Sequence, residues 1–373
     1  MNDIMGLLYT GESDLRLREM CAARSVAALP LLSRYRLVDF PLSAMVNSGV
    51  RNVGVIMQRN YNSLLDHLGS GKEWDLHGKR HGLVPLPPFM MRGDVGVYEG
   101  MLDALKSNMH FLRRSKEEYV VISDTDILYT ADFEDMVQKH IESKADLTVM
   151  YTRDRSASRN GRGRYLDIDE TGRVTKLEID PNIPTYEAVM MEVFCLRREL
   201  LLMLVDRAVS VGQKHFAREL LLGGINSHSL QVNAYECQSR VWMLDSVESY
   251  YKCSMELLED KNRASLFRPE APVLTRVRDE MPTRYLPGSS VTNSLLADGC
   301  VIEGTVENSI LFRSVRIGKG AVVRNSIIMQ DGRVQPMAEL DHAILDKQVL
   351  IREKQRLIGA ETYPIFVAKN MTI

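Results

Sequence analysis

The chain has 373 residues, 45% of them hydrophobic and 26% charged, and a formal net charge of −2. That length exceeds one ordinary core and implies two domains. The near-neutral balance excludes a global basic field that would draw the chain onto nucleic acid or anionic lipid. The opening Met1-Asn2-Asp3 and the short apolar run ending at Tyr9 lack the basic flank of a signal peptide and the length of a membrane span, so a cytoplasmic protein is expected. The five cysteines, Cys21, Cys195, Cys237, Cys253 and Cys300, are scattered without metal or redox spacing and read as reduced thiols. The histidines form no ligand cluster in the sequence.

In chain order, Ile4 to Tyr9 is an apolar run of strand length, and Leu37 to Val50 has helical spacing. Asn52 to Met57 is a second strand. Met101 to Leu112 is helical and leads into a third strand, Tyr119 to Ser123. A helix closing at His140 to Ala145 precedes a fourth, Leu147 to Tyr151. Strands alternating with helices imply a Rossmann-like, mostly parallel sheet covered on both faces, with ligands at the carboxyl ends of the strands. This α/β domain is expected over residues 1–265. A helix spans Val247 to about Lys261, and a proline-bearing linker covers 266–290.

Residues 291–373 carry a repeat. Steps of five or six residues from Leu295 reach Val301, Val306, Leu311, Ile317, Val323, Ile328, Val334, Leu340, Leu345, Ile351 and Leu357, all aliphatic. Neither a helix nor an ordinary strand explains that period. A left-handed parallel β-helix does, with one aliphatic side chain inward on each short side. Gly299, Gly304, Gly318, Gly320 and Gly332 fall between these positions, where tight corners favour glycine. A β-sandwich with chance spacing is the plain alternative, and the unbroken aliphatic series argues against it.

Several segments carry a family resemblance. They are Tyr35-Arg36-Leu37-Val38-Asp39-Phe40-Pro41-Leu42-Ser43, then Asn47-Ser48-Gly49, Gln58, Trp74-Asp75-Leu76, Leu86-Pro87-Pro88, Tyr98, Gly100, Asp103, Ala104 and Asn108, and later Asn308 to Gly318. Together they resemble the glucose-1-phosphate adenylyltransferase family over nearly the whole chain. The resemblance implies a nucleotidyltransferase-like domain, a left-handed β-helix, and a tetramer serving glycogen synthesis. The family joins glucose 1-phosphate to the α-phosphate of ATP and releases pyrophosphate. Two polyanions must meet, which calls for a backbone N–H cradle, cations and an aspartate-held divalent metal.

This chain departs from the family at those parts. The family's A-G-G-x-G-T-R-L aligns with Thr10 to Leu17, keeping Gly11 and Arg16 but replacing two glycines by Glu12 and Asp14. A carboxylate about 5 Å from a phosphate costs about 3 kcal/mol at an effective dielectric of about 20. The phosphate-facing lysine of K-P-A-V-P becomes Val26, and the lysine of E-K-P, which would hold the sugar phosphate, becomes Asp180. The family's S-M-G becomes Val189-Met190-Met191. Asp126 matches the metal aspartate. The second metal aspartate aligns with Met243, with Asp245 two residues along. Gln58, Gly100 and Asp103 remain as vestigial nucleotide positions. No cofactor is expected for this chain, and magnesium belongs to its catalytic partner.

The cations persist. Arg24, Arg34, Arg36 and Arg51 lie on the N-terminal segment, and Arg313 and Arg316 on the repeat. The resemblance places phosphorylated small-molecule effectors near these residues, and guanidinium forks suit phosphate. An ordinary solvated arginine face is the competing reading. The resemblance is nearest to the D-type subunit, a non-catalytic regulator of a catalytic subunit in a heterotetramer. An active enzyme with an altered phosphate loop, and an effector-binding scaffold that self-associates through its β-helix, are the alternatives.

Overall fold

A computed structural model describes residues 3–11, 17–78, 81–88, 98–154, 157 and 163–373. Among these, nine strands form one mixed sheet. One side of it is parallel: Leu83–Leu86 at the edge, then Val53–Ile56, Ile4–Tyr9 and Tyr119–Asp124 lie side by side in one direction. The strand Ala188–Arg197 then runs antiparallel to Tyr119–Asp124, to Leu147–Thr152 and to Arg164–Ile168. Val232–Glu236 lies parallel to Leu147–Thr152. Ile4–Tyr9 is buried along its whole length, as an apolar run must be when both sheet faces are covered.

The helices keep the expected order. Asp39–Asn47 fills the first crossover, and Met101–Ser107 with Met109–Arg114 precede Tyr119. Phe133–Ser143 starts at Asp132, whose carboxylate accepts from the N–H groups of Glu134 and Asp135. Val247–Glu256 starts on a reciprocal cap between Ser246 and Ser249. The long strand Ala188–Arg197 and the hairpin Arg164–Ile168/Val174–Ile179 were not anticipated from the sequence.

From Arg284 onward the chain winds into three five-stranded parallel sheets, the sides of a β-helix. Its first strand, Arg284–Tyr285, pairs with Val301–Ile302 and lies inside the stretch read as linker. Arg316 sits beside Arg333, which sits beside Leu350. Each of these coils is thus one residue short of three hexapeptides. One corner stacks Asn293, Asn308, Asn325 and His342, all with left-handed φ. Asparagine tolerates that region better than most residues, so amides do much of the work expected of glycine; Gly299 and Gly320 are also left-handed.

The inward column holds Ile302, Val306, Leu311, Ile317, Val323, Ile328, Val334, Leu340, Leu345 and Ile351. The first steps of the expected series are therefore shifted by one. Leu296 and Ile302 pack with that core, whereas Leu295 and Val301 face outward. A slip of one residue exchanges faces in a strand.

Leu295 is apolar for another reason. It heads an outward row that continues through Ile310, Ile327, Ile344 and Phe366. This row packs against the N-terminal domain in a shared core with Val26, Leu29, Phe40, Leu128 and Tyr250. The two domains are joined by burial, not by the linker alone.

The corrected register predicts that Ile302→Ala costs about 2–4 kcal/mol, while Val301→Ala costs under about 1 kcal/mol; urea titration of both variants reads the difference. A second expectation concerns pH. His140 is buried, stacks edge-on against Tyr119 at 5.8 Å and bonds Thr148 Oγ1 from Nδ1 at 2.8 Å. Burial first, then Arg197 and Arg173, hold its imidazole down to about 4. The unfolded chain takes up this proton near pH 6.5 and the folded chain does not. Stability should therefore fall as pH drops from about 6.5 toward 4, and His140→Gln should flatten that part of a stability-against-pH curve.

Candidate functional site

The carboxyl ends of the parallel strands gather Gly11, Gln58 and Asp126. Gln58 is buried and donates from Nε2 to Tyr9 Oη at 2.9 Å. A Cβ on Gly11 would lie 2.2 Å from that Nε2 and 2.5 Å from Tyr9 Oη, so glycine is needed for this close approach. Glu12, Asp14 and Arg16 lie outside the described residues.

Asp126 is fully buried. Its carbonyl accepts from Leu244 N at 2.8 Å, beside the two-stranded pair Ile127–Leu128/Trp242–Met243. Asp245 lies past the end of that pair, outside any strand and directly before the Ser246 cap. The shared-face argument for a second metal aspartate, which needs a strand, does not hold there. Among the described residues, no group of three or more histidine, cysteine or acidic side chains could hold a metal ion.

Gly100 and Asp103 have structural duties. A Cβ on Gly100 would meet Lys214 O at 2.3 Å, and Asp103 accepts from Glu99 N at 3.3 Å at the start of its helix.

The sugar-phosphate positions are occupied otherwise. Asp180, at φ 50°, forms an ion pair with Arg218 at 2.9 Å. Val189, Met190 and Met191 are all buried: Val189 and Met191 on one face of the sheet, Met190 on the other. Neighbouring Glu192 is buried against Arg164. Val26 is fully buried in the interdomain core. At the two positions where the family places lysines for phosphates, this chain has packing and a carboxylate.

The cations form a different site. At the junction of the domains, Arg34, Arg36, Arg276, Arg278, Arg313 and Lys347 line one pocket, with no carboxylate in its wall. Its cavity volume is about 40 Å³. A water needs about 10–15 Å³, so the pocket has room for a group of a few heavy atoms only.

Each wall is fixed from below. Arg36 donates from Nη1 to Ser63 O at 2.6 Å and to Ser63 Oγ at 2.9 Å. Burial pushes its guanidinium down to about 10. Arg313 has a buried Nε without a hydrogen-bond partner, and burial followed by Arg278 and Arg34 lowers its pKa. Lys347 is held down to about 7 by burial, then by Arg36 and Arg24. Cations that lower one another's pKa, in a pocket whose wall holds no carboxylate, leave an excess of positive charge there.

Asp39 ties three wall segments together. Fully buried, it accepts from Arg36 N at 2.9 Å, from Thr275 Oγ1 at 2.6 Å and from His67 Nε2 at 2.6 Å. Burial lowers the His67 pKa, and the neutral ring donates to the carboxylate, which can only accept.

Of the cations expected here, Arg34, Arg36 and Arg313 meet in the pocket. Arg24 stands behind it, 2% exposed, bonding both carboxylate oxygens of Asp346 at 2.6 and 2.9 Å. Arg51 lies apart, exposed and 3.9 Å from Asp75. Arg316 is on an exposed face of the β-helix between Val301 and Arg333. Arg276, Arg278 and Lys347 were not anticipated. The alternation Arg276-x-Arg278 in an extended segment puts both on one side and is the signal that could have found them.

Sequence comparison agrees with this architecture. The nucleotidyl transferase family profile matches residues 6–260, and a GlmU-like C-terminal hexapeptide profile matches residues 283–363. The glycogen biosynthesis protein GlgD of Bacillus subtilis (strain 168) is 32% identical over 370 residues, 99% of this chain and 97% of that protein. This chain belongs to the glucose-1-phosphate adenylyltransferase family. Within that family, GlgD of Geobacillus stearothermophilus is 36% identical over 326 residues, 86% of this chain and 83% of its own length. The glucose-1-phosphate adenylyltransferase of Thermomicrobium roseum is 34% identical over 357 residues, 94% of this chain and 82% of that enzyme. The two GlgD proteins place this family member close to the D-type branch. No helix among the described residues is long and apolar enough to cross a membrane.

The Arg24–Asp346 pair gives a stability prediction. Arg24→Ala leaves a buried carboxylate uncompensated and should cost about 3–5 kcal/mol. The double variant Arg24→Met/Asp346→Leu should recover most of that loss in urea denaturation.

Proposed function

We propose that this chain is a regulatory, catalytically inactive subunit of a glucose-1-phosphate adenylyltransferase in glycogen synthesis. It pairs with a catalytic subunit in a heterotetramer and presents the junction pocket to a phosphorylated effector. One contrast carries the reading: six cations converge on an anion pocket while the sugar-phosphate lysine position holds Asp180, already paired with Arg218. Charge suited to phosphate is kept at the regulatory position and reversed at the reacting one. Glu12 and Asp14 in the aligned phosphate loop add repulsion of a triphosphate to the same side of the argument.

The purified chain should form no measurable ADP-glucose from ATP and glucose 1-phosphate. Mixed with a catalytic family member, it should change that partner's turnover or its response to sugar phosphates. Robust synthesis by the chain alone overturns the proposal and restores the reading of an active enzyme with an altered loop. An activity of the mixture equal to that of the catalytic subunit alone overturns the partnership.

A further inference from the structure

We propose that Lys347 is the proton-linked cation of the junction pocket: a multiply charged oxyanion enters together with one proton, which comes from solvent and is bound by Lys347 Nζ. This rests on the reading of the pocket as an anion site and concerns how that site is regulated.

Lys347 follows Asp346 on the β-helix, but the Asp346 carboxylate is committed to Arg24 through two hydrogen bonds and also accepts Lys347 N at 2.7 Å. The adjacent acid therefore serves a guanidinium and a backbone N–H. Every other charge facing Lys347 in the pocket is positive. Arg34 and Arg36 come from the segment after Pro30, Arg276 and Arg278 from the interdomain connection, and Arg313 from a neighbouring coil. Lys369 adds a weaker positive charge, and Asp346 opposes them all less strongly than burial, Arg36 and Arg24 do. His67 also lines the pocket, but its Nε2 is held by Asp39.

A guanidinium cannot discharge at neutral pH, whereas an ammonium can. Among these cations, Lys347 is the one able to relieve the crowding by giving up its proton. Burial first, then Arg36 and Arg24, bring its pKa down to about 7. An oxyanion reverses the sign of the local field, restores the charged ammonium and raises that pKa. By linkage, a group whose pKa rises on binding takes up a proton. Affinity is then greatest below about pH 7 and declines as pH rises above it. The pocket would hold its ligand more weakly in alkaline conditions without any change in its shape.

Sulfate is the probe, because it is a dianion throughout this range and contributes no proton of its own. Titration calorimetry of the full chain at pH 7.5 and low ionic strength, in buffers of different ionisation enthalpy, reads proton uptake directly. The expected slope is roughly half to three-quarters of a proton per sulfate, with affinity falling roughly tenfold between pH 6.5 and 8.5. Lys347→Arg should still bind sulfate, with a slope near zero and a flat pH profile. Binding without buffer dependence overturns the inference and leaves the anion pocket standing. Failure of sulfate to bind overturns both. A slope unchanged in Lys347→Arg assigns the proton elsewhere, His67 first, and also overturns it.

Discussion

A column of apolar side chains on the outside of the β-helix sets the arrangement of everything else. Leu295, Ile310, Ile327, Ile344 and Phe366 stack in register across successive coils and bury themselves against Val26, Leu29, Phe40 and Tyr250. Apolar area on the outer face of a repeat has no stable place in water. Here it fastens the repeat to the α/β domain at one angle. Across this contact Tyr251 Oη donates to Asn325 O at 2.7 Å, while Tyr250 Oη, within the α/β domain, donates to Pro30 O at 2.6 Å. The Arg24–Asp346 pair crosses the same junction. It adds direction, since a guanidinium meets a carboxylate at two oxygens only in a narrow set of geometries.

Once the domains are fixed, the cation pocket follows. Its walls come from segments far apart in the chain, at Arg36, His67 and Arg276 and on successive coils of the β-helix, and none makes a site alone. Asp39 ties the Arg36 turn to Thr275 and His67, while the β-helix supplies Arg313 and Lys347. The like charges are held together by covalent placement and by packing beneath them. That stored repulsion is what an anion would relieve.

In the sheet domain, the positions that align with the family's phosphate-handling residues hold side chains packed or paired within the fold. Val26 is part of the interdomain core, Met190 and Met191 fill opposite faces of the sheet, and Asp180 is paired. Each of these residues is packed or partnered, and Asp180 adopts left-handed backbone at φ 50°. Asp126, just past the strand Tyr119–Asp124, remains buried. Its candidate companion, Asp245, directly precedes the Ser246 helix cap.

Much of this was legible beforehand. The six-residue period gave the β-helix, and the alternation of strands and helices gave the parallel side of the sheet, because side-chain periodicity reflects local geometry. The substitutions at Val26 and Asp180 were visible as changes of charge. Three things were not legible. The faces of Leu295 and Val301 depended on a coil that is two residues shorter than those that follow it. The antiparallel strand Ala188–Arg197 is apolar on both faces and carries no alternation to mark it. The pocket depended on contacts between residues hundreds of positions apart, so Arg24 was drawn behind the wall while Lys347 came into it. The sequence by itself determined the two folds, their order and the loss of phosphate-binding residue types. Only the tertiary structure decided which cations share a site, because electrostatic coupling depends on distance in space, and no local pattern encodes that distance.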